Sequence, residues 1–287
     1  MMRHVTAVRY AAPLREGGSL PGLMEGDDLG TWVVKFRGAG QGKAALVAEV
    51  VVGELARELG LAVPEIVVVE VDPRLGRTEP DQEVQDLLRA SAGPNLGMDY
   101  LPGSITYDPL AFPVAPELAA RVLWLDALSL NVDRSWRNPN LLVWGSGLWL
   151  IDHGAALYPH HDWPSADAAV GRPLPGVADH VLLPAVAARP EAFVEADAQL
   201  AGRVDEELLT AVLERVPRDW LDDVPRGRYV RWLLARLAAR AAWRDAVVAA
   251  LESADGGARK AGAKEDRGRS GRPDWLRAGD WLRTGHA

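Results

Sequence analysis

The sequence predicts an α+β chain in two lobes, β-rich at the N-terminal end and mainly helical at the C-terminal end. Three observations predict it. Residues 5 to 71 hold short β-branched runs, VTAVRY, TWVVKF and PEIVVVEV, bounded by Gly and Pro, which is how strands read. From Pro116 the apolar residues recur at helical spacing in segments separated by Pro. Between the two, residues 102 to 115 carry neither pattern. The expected division is therefore a β-rich lobe over 1–101 with one central helix, a helical lobe with one hairpin over 102–252, and a disordered tail over 253–287.

Within the first lobe, GKAALVAEVVVGELAREL from Gly42 to Leu59 repeats apolar residues with a helical period and stops at Gly60. A second, surface helix is expected near residues 80 to 90, followed by the extended stretch NLGMDYLPG. In the second lobe PELAARVLWLDALSLN begins with Pro at a helix start. Two apolar runs, NLLVW and LWLI, flank the turn GSG and predict a hairpin. YVRWLLARLAARAAWRDAVVAAL reads as one amphipathic helix, since four Arg interrupt it and exclude a membrane span of about 18 apolar residues. The tail is rich in Gly and charge and repeats DWLR at Asp274 and Asp280, a short docking helix or an unstructured segment.

Composition narrows the function. With 287 residues, 48% of them hydrophobic, the chain can bury a sizeable core. It has no Cys, so disulfides and thiolate metal sites are excluded. The N-terminus lacks the apolar stretch of a signal peptide, and a cytoplasmic location is expected. Net charge is −8; the residues from Ser253 onward carry +3 and the remainder −11. An acidic body argues against general nucleic-acid binding, which needs a basic face.

Several polar residues stand where local structure does not ask for them. Strand alternation in TWVVKF puts Lys35 beside Val33 on one face, where an ammonium group needs a counter-charge or an anion unless it is an edge lysine facing solvent. Glu49 lies on a helix of Val and Ala; it pairs with Lys35 or is an exposed helix Glu, with Glu54 as an equally exposed neighbour. Asp133 follows an apolar helix at a helix-to-loop transition, positioned to accept a proton. The hairpin makes Asn140 and Asp152 cross-strand neighbours within reach of one metal ion, and His153 and Gly154 turn the chain away. Phosphoryl transfer needs these parts: a cation on the phosphates, acid and amide ligands for Mg2+, and a carboxylate at the attacking hydroxyl. Helix caps and turn residues are the competing explanation for the Asp and Asn. Gly17, Gly18 and Ser19 in REGGSLPG are candidates to approach phosphates through backbone N–H groups, and RGAGQGK, with Arg37 and Lys43, ends at a helix N-terminus. His160, His161 and Asp162 are a transition-metal candidate or a polar loop segment, the latter favoured because adjacent His side chains diverge.

Read in order, VVKF, Glu49, NVDRSWRNPNLLVW and LIDHG resemble the HipA-like kinases and, more distantly, phosphatidylinositol kinases and protein kinases. AEVVVGELARELGLAVPE adds to the likeness, which spans about residues 5 to 252. The resemblance implies a two-lobed protein-kinase-like fold with ATP and Mg2+ as cofactors. It implies Lys35 on the α- and β-phosphates with Glu49 as its partner, Asp133 as the catalytic Asp, and Asp152 as the principal metal ligand. It also implies the backbone of Met98, Asp99, Tyr100 and Leu101 as the adenine hinge. The second metal ligand is open: Asn140 precedes the apolar run as in protein kinases, whereas the family spacing of five from the catalytic Asp selects Asn138. Protein Ser/Thr hydroxyls are the implied acceptors. A lipid or small-molecule acceptor is the rival; it predicts a basic or apolar patch beside Asp133, of which Arg134 and Arg137 offer only a modest one. A nucleotide-binding pseudokinase and a toxin-like role with an antitoxin-like partner are the remaining readings.

Overall fold

The structure, a computed structural model, describes residues 2–14, 20–40 and 42–269. Strands come first and helices after, as the patterning predicts. Strands β1 (His4–Pro13), β2 (Gly22–Gly26), β3 (Thr31–Lys35), β4 (Ile66–Val71) and β5 (Gly93–Asp99) form a closed barrel in the order β1-β2-β3-β5-β4. The neighbours are antiparallel except β1 and β4, whose parallel pairing, His4 opposite Val68, closes the ring. Helix α1 (Gly42–Glu58) lies between β3 and β4, and α2 (Gln82–Ala90) between β4 and β5.

Alternation sorts the barrel side chains. Trp32 and Val34 of β3 point into the barrel with Val5, Met24, Val67 and Val69, and Val84 and Leu88 of α2 join that core. β4 is apolar on both faces because Ile66 and Val68 pack instead into a second core. At Gly97 of β5 a Cβ atom would lie 2.4 Å from Val69 Cγ2, so the barrel closes only around a residue with no side chain.

The second core is larger and does not stop at the boundary expected near residues 102–115. It runs from α1 through α3 (Pro116–Ser129) to the helices that follow: α4 (Trp163–Ala166), α5 (Leu183–Ala187), α6 (Glu191–Leu200), α7 (Glu206–Arg215), α8 (Arg226–Ala238) and α9 (Arg240–Arg269). α3 is buried almost all round and is the axis of this region. A three-stranded sheet of β6 (Ile105–Thr106), β7 (Leu141–Trp144) and β8 (Gly147–Leu150) holds the hairpin, and Leu150 N–H donates to Ala62 O at 2.8 Å, fixing it beneath α1.

Two helix expectations are corrected. The apolar run from Tyr229 to Leu251 is two helices, α8 and α9, interrupted at Ala239. Across the break Trp243 Nε1 donates to Arg236 O at 3.1 Å, and the buried Arg236 side chain donates to five carbonyls, including those of Leu128, Ala169, Val170 and Arg172. Helix α9 continues to Arg269, so the stretch after residue 252, expected to be disordered, begins as helix. The DWLR repeat lies outside the described residues.

Candidate active site

Strands of the barrel and of the three-stranded sheet converge on one cleft of about 540 Å3. Val33, Met98 and Leu101 line it from the barrel, Leu142 and Ile151 from the hairpin, and Lys35 and Asp152 lie on its wall as well. It is a mainly apolar slot with the Lys35–Asp152 pair at one end.

The charged end starts from strand alternation. Val33 and Lys35 share the outward face of β3, and Lys35 is half-buried rather than facing solvent. Its Nζ donates to Glu49 Oε1 and, at 2.7 Å, to Asp152 Oδ1. Glu49 is fully buried on α1, and its other oxygen accepts the N–H of His153 at 2.8 Å. One carboxylate thus ties the lysine to the turn that carries Asp152. Gly154 completes this turn, where a Cβ would come within 3.1 Å of Glu49 Oε1. Glu54 is not exposed as expected: it is buried and bonded to Arg215 of α7.

Burial acts to lower the Lys35 pKa, and Glu49 and Asp152 together outweigh it and raise it. Burial pushes the Glu49 carboxyl up. Burial also opposes ionisation of Asp152, but Lys35 prevails and holds that carboxyl below its usual range. The ammonium is therefore fixed as a cation at the cleft wall.

The hairpin delivers the other polar groups. Leu141 pairs with Leu150, so Asn140 lies opposite Ile151, whose N–H donates to Asn140 O at 3.2 Å; Asp152 is the next residue. Both Asn140 and Asp152 have positive φ, 47° and 53°, a conformation that costs energy and aims their side chains away from the strand direction. Asn140 Nδ2 donates to the backbone carbonyl of Asp133 and, at 3.3 Å, to its Oδ2. Asn138 Nδ2 contacts both Asp133 carboxylate oxygens at 3.0 Å. Asp133, Asn138 and Asn140 therefore form one cluster; Asn140 is buried and Asn138 exposed.

Around the expected adenine hinge, Asp99 N–H donates to Glu65 O at 2.9 Å and Tyr100 N–H to Thr31 O at 3.0 Å, which ties both to the barrel. Gly17, Gly18 and Ser19 lie outside the described residues. Their flanks, Leu14 and Pro21, are joined by a 2.7 Å hydrogen bond and line the cleft. Arg37 N–H is bound by Asn95 at 2.8 Å, and Lys43 pairs with Asp222 at 2.6 Å. His160 is buried against Tyr229 rather than lying in a polar segment, and among the described residues no group of three or more His, Cys, Asp or Glu is arranged to hold a metal.

Sequence reasoning missed the groups beneath the loop. Arg134, expected on a surface patch, is buried, and its Nε donates to the buried carboxylate of Asp126 at 2.6 Å. His180 Nε2 donates to the same carboxylate at 3.0 Å. Asp126 on the apolar helix α3 was the available signal, since a carboxylate on a buried face requires partners.

The HipA-like kinase family model matches residues 8–227. The chain belongs to the HipA-like kinase family. No curated protein matches it. Among solved structures it is similar to the crystal structure of CtkA, a Helicobacter pylori proinflammatory kinase, with a TM-score of 0.51 and 11% identity over 85% of this chain and 97% of that one. That likeness concerns the fold alone.

Proposed function

We propose that this HipA-like kinase is two-lobed and transfers the γ-phosphoryl group of ATP to a protein Ser or Thr hydroxyl. The observation that carries the reading is Lys35, a half-buried cation held between Glu49 and Asp152 at the charged end of an apolar cleft. Adenine enters between Val33 and Met98 on one side and Leu142 and Ile151 on the other, against the hinge at 98–101. Lys35 then faces the α- and β-phosphates, and Glu49 keeps its tip from swinging into solvent.

The donor set suits magnesium, which takes hard oxygen ligands in an octahedron and retains water. Asp152 supplies a carboxylate, and Asn140, which donates through Nδ2 to Asp133, keeps Oδ1 as a ligand. Asn140 is favoured over Asn138 because it is bonded to the residue preceding Asp152, while Asn138 is exposed and turned toward both oxygens of Asp133. Bound magnesium would neutralise charge developing on the phosphates. Asn138 and Asn140 orient the Asp133 carboxylate toward the acceptor. The hydroxyl oxygen attacks the γ-phosphorus and gives its proton to Asp133, and the bond from phosphorus to the bridging oxygen breaks with its electron pair leaving on ADP.

A protein acceptor is supported by the surface beside Asp133. Trp136 is 59% exposed and Val132 44%, and the Arg137 guanidinium lies 4.3 Å over the Trp136 ring. Aromatic and Arg side chains of this kind favour protein contacts. The test is incubation with γ-labelled ATP and Mg2+, wild type beside Asp133→Ala. Label on protein that disappears in the variant supports a kinase; ATP-induced thermal stabilisation with no label in either protein would point to a nucleotide-binding module instead.

A further inference from the structure

Arg134 follows Asp133 and is 1% exposed. Its guanidinium works in three directions. Nε donates to Asp126 Oδ2 at 2.6 Å, Nη1 donates to the carbonyl of Asn140, and Nη2 lies 3.4 Å from His153 Nδ1. The last two contacts reach the residues that matter for the site: Asn140 itself, and the residue bonded covalently to Asp152. A planar guanidinium reaches three fixed partners at once, and a lysine ammonium on a flexible stem does not.

Asp126 holds the guanidinium in place. Asn131 Nδ2 donates to its Oδ1 at 2.9 Å, and His180 Nε2 shares Oδ2 with Arg134. Although burial opposes its ionisation, Arg134 and His180 keep this carboxyl charged, with a pKa down to about 2. The Leu182 N–H donates to His180 Nδ1 at 3.2 Å, so the imidazole proton sits on Nε2, facing Asp126. His180 belongs to the chain that leaves the site at the Asp-His-Gly turn and returns onto the catalytic loop. Val181 N–H donates to Arg134 O at 3.1 Å and Trp136 N–H to Asp179 O at 3.2 Å.

A buried ion pair is weak evidence for stability, because apolar residues of similar volume often serve as well. What an apolar replacement would not supply is a donor to Asn140 and a contact to His153. We propose that Arg134 is a positioning residue that sets the separation of the metal-ligand candidates Asn140 and Asp152, that Asp126 locks its guanidinium, and that His180 ties this lock to the chain returning from the Asp-His-Gly turn. The inference rests on the reading of Asp152 and Asn140 as metal ligands.

The test measures metal binding directly. Mn2+ replaces Mg2+, the non-hydrolysable analogue adenylyl imidodiphosphate replaces ATP, and free Mn2+ is followed by electron paramagnetic resonance. Arg134→Lys is expected to weaken Mn2+ binding about 10- to 100-fold, the usual effect of removing an outer-shell partner. Its affinity for the analogue without metal is expected to stay at the wild-type value, which a general loss of structure would not allow. His180→Gln, whose side-chain N–H can still reach Asp126, is expected to bind Mn2+ more tightly than His180→Leu. A folded Arg134→Lys protein with wild-type Mn2+ affinity overturns the inference. If that variant does not fold, the two His180 variants decide, and equal affinities overturn it. Asp152→Ala is the control: unchanged Mn2+ binding there removes the metal-site reading itself, whereas weakened binding there with no effect of Arg134→Lys removes only the role of Arg134.

Discussion

Two cation–carboxylate clusters flank the same hairpin, yet one faces the cleft and the other is sealed. In the Lys35 cluster the Asp152 side chain is 38% exposed and that of Lys35 13%. In the Arg134 cluster both Arg134 and Asp126 are at 0%. The difference separates two uses of charge. On the proposed reading, a carboxylate that exchanges its lysine for a metal ion stays within reach of water, while a carboxylate that fixes a loop is best removed from it. The compact ammonium of lysine suits the first use and the forked guanidinium the second.

This comparison can be broken most forcefully by removing one carboxylate from each cluster and measuring stability. Asp126→Ala leaves Arg134 buried without its counter-charge and is expected to cost about 3–5 kcal/mol of unfolding free energy in denaturant titration. Asp152→Ala leaves Lys35 paired with Glu49, and a partly exposed pair is expected to cost no more than about 1 kcal/mol. Equal losses would mean that the two clusters do not differ as their exposure indicates.

A smaller effect sharpens the division within the site. Asn140→Ala is expected to lower the phosphoryl-transfer rate about 100-fold and to raise the Mg2+ concentration needed for half-maximal rate, as a lost ligand should. Asn138→Ala is expected to lower the rate about tenfold with an unchanged Mg2+ requirement, because it orients a general base. The reverse order in a Mg2+ titration would reassign the second ligand to Asn138.

The smallest effect concerns pH. Burial, with a contribution from His161, holds the His160 pKa near 3 in the folded chain against 6.5 ordinarily. The unfolded chain therefore takes up a proton first as pH falls, and the stability from a neutral His160 is complete above pH 6.5 and lost progressively below it. His160→Leu is expected to lose less unfolding free energy between pH 7 and pH 5 than wild type. The slope is reduced rather than removed, since buried His153 is lowered in the same direction. The same loss of unfolding free energy from pH 7 to pH 5 in wild type and His160→Leu, measured by denaturant titration, would contradict this.

Much of the site was legible because short-range rules govern it. Period-two alternation put Lys35 beside Val33, and hairpin register brought Asn140 next to the end of the strand before Asp152. The mismatch of a carboxylate on a helix of Val and Ala marked Glu49. The same argument applies to Asp126 on α3, yet its partners Arg134 and His180 lie in loops without periodicity, so no pattern joined them. Barrel closure was not legible for a related reason. The parallel pairing of β1 with β4 joins strands some sixty residues apart, and such contacts depend on packing around positions like Gly97 rather than on local propensity. The division of the run from Tyr229 to Leu251 escaped because Arg236, read as a polar interruption, instead satisfies carbonyls from α3 and the segment at 169–172.

The central claim is that the exposed carboxylate at the end of the cleft serves phosphoryl transfer rather than the fold. It is tested most directly by single-turnover transfer from γ-labelled ATP with Mg2+, comparing Asp152→Ala with wild type once circular dichroism shows that the variant is folded. The expected result is a loss of transfer of roughly 1,000-fold at a nearly unchanged unfolding midpoint, in keeping with removal of a group that stabilises transition-state charge. Transfer at the wild-type rate by folded Asp152→Ala would contradict the account.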